Sequence, residues 1–232
     1  MRQLILELAQ PPALTLENFV AGRNAELLHG LRVMAERGAG GSAIFIWGEA
    51  GSGRTHLLRG LIDAVRERGG GAEYVACAEA PRLHEELHRL DCVAIDDVER
   101  LAPGEQVGAF NLYNALKERG AAIAVSGNAL PQQLELRHDL ATRLGWGLVY
   151  QLHALSDEEK ASALRNHAAA RGIRIPDEVC AYLLGRVRRD MGTLLAVLDA
   201  LDHSSLEAKR AITLPFVRDW LRAAKDQDSV IE

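Results

Sequence analysis

One eight-residue stretch, Gly48-Glu49-Ala50-Gly51-Ser52-Gly53-Arg54-Thr55, constrains this chain more than any other. It follows the apolar run Ala43-Ile44-Phe45-Ile46-Trp47 and precedes His56-Leu57-Leu58-Arg59-Gly60-Leu61-Ile62, which carries a helical pattern. Strand, glycine-rich turn and helix together are the setting in which a phosphate loop makes physical sense. The glycines let successive backbone N–H groups turn inward around an anion, and the helix start adds its positive dipole end. The spacing is G-x-x-x-x-G-[KR]-T. It makes Gly48, Gly51, Ser52, Gly53, Arg54, Thr55 and His56 candidate nucleotide-binding residues. Arg54 stands where a lysine is usual, so binding is expected while hydrolysis is an open question.

The segments after the loop alternate. Helix follows Gly53, and Gly69-Gly70-Gly71 closes it; Tyr74 to Cys77 reads as a short strand and Pro81 to Leu90 as a short helix. Cys92 to Asp97 is a second apolar strand, Val107 to Arg119 an amphipathic helix, Ala121 to Ser126 another apolar strand, and Val149 to Leu152 a last short one. Ahead of the loop, Asn24 to Arg37 is helical, with Leu27, Leu28, Leu31 and Met34 at helical spacing. Strands that read as unbroken apolar runs and alternate with helices imply an α/β fold, a parallel sheet covered on both faces. After residue 153 only helices are expected. Ser156-Asp157-Glu158-Glu159 is a capping box opening a helix to Arg171. Pro176-Asp177 opens the next, Asp190 to Leu201 is a third and Pro215 to Ala224 a fourth. The expected organisation is a tail at 1–12, an α/β domain at 13–153, a helical lid at 154–225 and a frayed end at 226–232.

Several polar residues fall where chemistry can use them. Asp96 and Asp97 end a buried strand, at the edge where open α/β sheets bind ligands. Asp96 can hold Mg²⁺ opposite the Thr55 hydroxyl, the alternative being a carboxylate pair that caps the next turn. Asp97 occupies the place of the glutamate that orients water in an efficient ATPase, and its side chain is one methylene shorter. Asn128 ends the next strand; it can orient water or touch a phosphate, or simply form a Gly-Asn turn. Arg143 precedes the turn Gly145-Trp146-Gly147. It either points outward to act on another subunit or pairs with Asp139 four residues earlier. Arg189 opens a lid helix, and either reaches the phosphates or pairs on a solvated face. His84-Glu85-Glu86-Leu87-His88 fits a zinc-protease pattern, but no third ligand is evident, and Leu83, Leu87 and Leu90 explain that helix as packing.

Composition narrows the class. Of 232 residues, 48% are apolar and 25% charged, ordinary for a globular chain. The net charge of −5 and pI of 5.9 argue against a chain built to coat nucleic acid. Cys77, Cys92 and Cys180 each sit in an apolar pattern and read as buried reduced thiols. No apolar run reaches membrane-span length and no signal peptide opens the chain, so a cytoplasmic location is expected. Gln3-Leu4-Ile5-Leu6-Glu7-Leu8 alternates ahead of Gln10-Pro11-Pro12, as an edge strand or as a peptide that docks elsewhere.

Phosphate loop, two-carboxylate strand, polar strand end, outward arginine and lid arginine together resemble the AAA+ ATPase family. Phe19-Val20-Ala21-Gly22-Arg23-Asn24, Thr55-His56-Leu57, Ile95-Asp96-Asp97 and Arg143-Leu144-Gly145-Trp146-Gly147 resemble the branch of the replication initiator DnaA. A lid with no helix-turn-helix domain after it, and a short Gln-Leu-rich tail before the α/β domain, is similar to the Hda-like regulators of that branch, which also carry arginine at the lysine position. The resemblance implies a P-loop AAA+ domain followed by a lid, binding ADP or ATP with Mg²⁺. It places Arg54, Thr55, Asp96, Asp97, Asn128 and Arg189 around the nucleotide, with Thr55 and Asp96 at the metal. It makes Arg143 a finger directed in trans at ATP on DnaA, and Gln3, Leu4, Leu6 and Leu8 a peptide that docks on the sliding clamp (the β subunit of DNA polymerase III). The implied role is negative regulation of replication initiation, with weak intrinsic hydrolysis at most, a possible homo-oligomer, no membrane partner and no sequence-specific DNA binding. The rival is an autonomous ATPase that loads a helicase, which sustained intrinsic turnover would favour.

Overall fold

The computed structural model describes residues 13–37, 41–79, 83–188 and 190–228. The Gln3 to Leu8 hexapeptide and Arg189 lie outside the described residues. Two compact units emerge, Leu14–Ala154 and the residues from Leu155 onward.

In the first unit, β1 (Ala43–Trp47), β2 (Ala72–Ala76), β3 (Cys92–Asp96), β4 (Ala122–Gly127) and β5 (Leu148–Gln151) form one sheet in the order β2-β3-β4-β1-β5. Every pairing is parallel, as the apolar runs imply. Among the described residues four α-helices accompany it: α1 (Ala25–Arg37), α2 (Arg54–Glu67), α3 (Glu105–Glu118) and α4 (His138–Leu144).

The two-residue period of the strands sorts their side chains onto two cores. Ile44, Ile46, Cys92, Ala94, Ala122 and Ala124 pack with Leu27 and Leu31 of α1 and Leu57, Leu58 and Leu61 of α2. Phe45, Val93, Ile95, Ile123 and Val125 pack on the other face with Leu112 and Leu116 of α3 and Leu140 and Leu144 of α4. The chain entering the domain crosses α2 at Gly60, where a Cβ would lie 2.8 Å from the Leu16 nitrogen. Edge strand β5 leaves Leu148 and Val149 partly exposed, at 57% and 37%.

Most element boundaries shift from the sequence expectation by a residue or two. The last two helices run further, to Ala208 and Asp228, and Pro81 to Leu90, expected as a helix, departs most. Among the described residues it holds only a 3-10 turn at Glu85–Arg89, with His84 extended ahead of it. Fully buried Leu87 anchors this turn to the core, and partly buried Leu83 and Leu90 pack against the same core from either side of it, so the leucine packing is met without a longer helix. In 3-10 geometry residues three apart, not four, eclipse, so His84 and His88 do not share a face. His84 instead lies 3.5 Å from Glu73.

The second unit contains α5 (Asp157–Ala170), α6 (Asp177–Arg186), α7 (Met191–Ala208) and α8 (Leu214–Asp228). The Ser156 side chain accepts from the Glu159 N–H while Glu159 accepts from the Ser156 N–H, completing the expected capping box. Asp190 caps α7 by accepting from the Thr193 N–H at 2.8 Å. That helix runs past the expected Leu201 end because nothing breaks it before Lys209, which adopts a left-handed φ of 52°. Leu164, Val179, Leu183, Leu194, Leu198 and Val217 form its core. This is an α/β P-loop fold followed by a helical lid. Among the described residues no helix is long and apolar enough to cross a membrane.

Candidate functional site

Parallel strands bring their carboxyl ends to one edge, and β3, β4 and β1 are consecutive neighbours there. The loop after β1, the carboxylates at the end of β3 and Asn128 after β4 therefore converge. Gly51 and Gly53 hold φ of 77° and 107°, a left-handed backbone that side chains rarely adopt. A Cβ on Gly53 would also press to 2.9 Å from Phe19. α2 begins at Arg54 with no side chain capping its N-terminus. Its first-turn N–H groups have no intrahelical partners and suit an anion. The buried Ser52 Oγ in the same loop has no hydrogen-bond partner. A polyanion such as a nucleotide phosphate fits this cradle, because it supplies the acceptors that these donors lack.

The strand period explains the next layer. Asp96, Ser126 and Tyr74 share the α2 side of the sheet with Ala94 and Ala124, and Thr55 sits in the first turn of α2. Thr55 Oγ1 and Tyr74 OH each donate to Asp96 Oδ2 at 2.6 Å, and Ser126 Oγ donates to Asp96 Oδ1. Asp96 is only 3% exposed, so three hydroxyls stand in for water around a buried carboxylate. Burial, and then the Asp96 carboxylate, push the Tyr74 phenol well above its usual range. Thr55 Oγ1 and Asp96 are oxygen donors of the kind that a hard cation takes.

Asp97 leaves the strand with a φ of 54°, and its N–H donates to Ser126 Oγ at 2.9 Å. Its Oδ1 pairs with Arg54 Nη2 at 2.9 Å, while Arg54 Nη1 donates to the Gly48 carbonyl. Asn128 is exposed just beyond the carboxyl end of β4. Glu99 adds a third carboxylate to this edge, with Oε2 buried and unpartnered. Burial raises its pKa, Asp97 pushes the same way, and Arg54 opposes both.

His56 contributes to the cradle only through its backbone. Its Nε2 lies 2.9 Å from both the Thr15 carbonyl and Asn18 Oδ1. Burial lowers its pKa from 6.5, which the Thr15 hydrogen bond only partly offsets. A depressed folded pKa means that the unfolded chain takes up the proton first. The stabilisation is therefore complete above pH 6.5 and is lost as pH falls through the lowered value. Thermal unfolding followed from pH 7.5 to 5 is expected to show this loss, and His56→Gln to flatten it.

Arg143 lies in the last turn of α4. Its alternative partner, Asp139, is occupied: Arg137 donates to both Asp139 oxygens, at 2.8 and 3.2 Å. The Arg143 guanidinium instead stacks 4.0 Å from the ring centroid of Trp146 and 5.8 Å from that of Phe110. Trp146 is 66% exposed and borders a cavity of about 450 Å³ lined also by Gln132, Leu136 and His138. Among the described residues no carboxylate pairs with Arg143.

Tyr74, Ser126 and Glu99 escaped the sequence reading. A tyrosine on a five-residue strand and a serine ending an apolar one were the available signals, and the register Tyr74↔Ala94 puts the first on the same face of the sheet as Asp96, two residues further along β3. The three cysteines are free and buried, and burial pushes the Cys77 and Cys92 thiols up to about 12.

Comparison with known proteins places this geometry. The family model described as the bacterial DnaA ATPase domain matches residues 70–151, and that described as the Hda lid domain matches residues 157–221. The chain is a DnaA/Hda-like AAA+ protein. It resembles domain III of DnaA from Thermotoga maritima with a TM-score of 0.72 at 25% identity, over 91% of this chain and 97% of that one. AMPPCP-bound DnaA from Aquifex aeolicus shares the fold at 20% identity and a TM-score of 0.69, over 87% and 68% of the two chains. A DnaA bound to AMPPCP and single-stranded DNA does so at 24% and 0.69, over 85% and 68%.

Proposed function

We propose that this DnaA/Hda-like protein is a negative regulator of replication initiation: it binds ADP or ATP, docks on the sliding clamp, and stimulates hydrolysis of ATP held by DnaA. The observation that carries the reading is Arg143. A guanidinium with no carboxylate partner among the described residues, braced on an exposed tryptophan, is a positive charge held ready for an anion on another molecule. The match of the lid to the Hda model and the nucleotide analogues bound by DnaA relatives support the same reading.

In this protein the loop N–H groups, Ser52 and Arg54 would hold the phosphates, with Thr55 and Asp96 holding Mg²⁺, which would neutralise phosphate charge. Asn128 and Arg189 would complete the nucleotide site. The Gln3 to Leu8 peptide would supply the clamp contact. The test is ATP turnover by purified DnaA with this chain added, with and without DNA-loaded clamp. Stimulation that requires both supports the proposal, and no stimulation rejects it. For the tail, alanine at Gln3, Leu4 and Leu6 is expected to abolish capture by immobilised clamp; unchanged capture rejects that contact.

A further inference from the structure

The two departures from the usual phosphate-loop pattern, arginine for lysine and aspartate for glutamate, meet in space. Arg54 Nη2 lies 2.9 Å from Asp97 Oδ1, and Arg54 Nη1 donates to the Gly48 carbonyl at 2.9 Å. One guanidinium thus joins the first residue of the loop to the end of β3. The side chains are 11% and 24% exposed, which sets the pair apart from a solvated surface ion pair. Asp97 is held at other points too. Its backbone N–H is spent on Ser126 Oγ, and its second oxygen lies 3.7 Å from Arg100 Nε.

We propose that Arg54 and Asp97 are a matched positioning pair that ties the phosphate loop to β3 and withdraws Asp97 from orienting water. The proposal rests on the nucleotide-binding reading above. Its consequence is a site that holds nucleotide without turning it over. Arginine suits the task because it carries five N–H donors in a planar fork. Two are committed here, and the others stay available to an anion. A lysine ammonium is a point charge on a flexible stem and cannot hold Gly48 and Asp97 in one plane. Aspartate, bound to the fork and fixed in a left-handed backbone, has no freedom left to align a nucleophile.

Two measurements on the 232-residue chain test this. The first is thermal unfolding of nucleotide-free protein for Arg54→Ala, Asp97→Ala and the double variant. Each single change is expected to lower the midpoint by roughly 3–8 °C, and the double variant by no more than the worse single. Additive losses overturn the pair. The second is single-turnover ATP hydrolysis with Mg²⁺ and protein in excess. R54K/D97E is expected to exceed the parent on the order of tenfold or more. D97E alone is expected to gain less than about threefold, because Arg54 still captures the longer carboxylate. D97E matching the double variant, or a double variant no faster than the parent, overturns the proposal. If the parent binds no fluorescent ADP or ATP analogue, the nucleotide reading fails by itself, and the unfolding cycle still decides whether the pair exists.

Discussion

Replacing Arg143 with alanine is expected to remove stimulation of DnaA-bound ATP hydrolysis while leaving this protein's own nucleotide binding in place. A guanidinium given in trans stabilises charge that develops on the transferred phosphoryl group, an effect on the order of 10³–10⁵ in rate. Nothing else in the described surroundings of Arg143 replaces it. Arg137, just ahead of the same helix, is already spent on Asp139. The fold is expected to tolerate the change, since the lost contact is a stacking on exposed Trp146 worth about 0.5–1 kcal/mol. Arg143→Lys keeps the charge but loses the planar fork, so partial stimulation is expected from it. Turnover by DnaA with clamp and DNA, beside fluorescent-nucleotide binding by the variant alone, checks both halves. Undiminished stimulation by the alanine variant would remove the finger from the mechanism.

Asp96→Ala is expected to be the most destabilising single change at the site. It strips the acceptor from three hydroxyls at once, those of Thr55, Tyr74 and Ser126, in a place that water barely reaches. Each orphaned donor costs about 1–3 kcal/mol, less whatever its rotation recovers. A net loss on the order of 3 kcal/mol corresponds to roughly 6–12 °C in thermal midpoint for a unit of this size. Asp96→Asn keeps the shape and one acceptor oxygen, so it is expected to unfold at a temperature between the two. Both variants lose the charge that would attract a cation. The magnesium dependence of nucleotide binding is therefore expected to vanish in Asp96→Asn even where the fold survives. Calorimetry and nucleotide titrations with and without Mg²⁺ separate the two effects.

Much of the site was readable along the chain because its signals are local. Gly48 to Thr55 carries its own strand, turn and helix. Asp96 and Asp97 end an apolar run, and Ser156 with Glu159 caps a helix within four residues. What could not be read depends on partners far apart in sequence. The Arg54–Asp97 pair spans β1 and β3. Tyr74 reaches Asp96 because β2 and β3 are neighbours, and Glu99 comes to the site through a left-handed turn that no residue type demands. The competition for Asp139 was settled by Arg137 at two residues' distance, where its side chain lies ahead of the helix and can close a two-pronged pair that Arg143 cannot.

By itself, then, the sequence determined the α/β class, the phosphate loop and the helical lid. Periodicity, glycine placement and capping act over a few residues and need no knowledge of the rest. Only the tertiary structure decided what Arg54 does. The strand order sets the end of β3 within one guanidinium's reach of the loop, and an ion pair forms wherever packing leaves opposite charges close and poorly solvated.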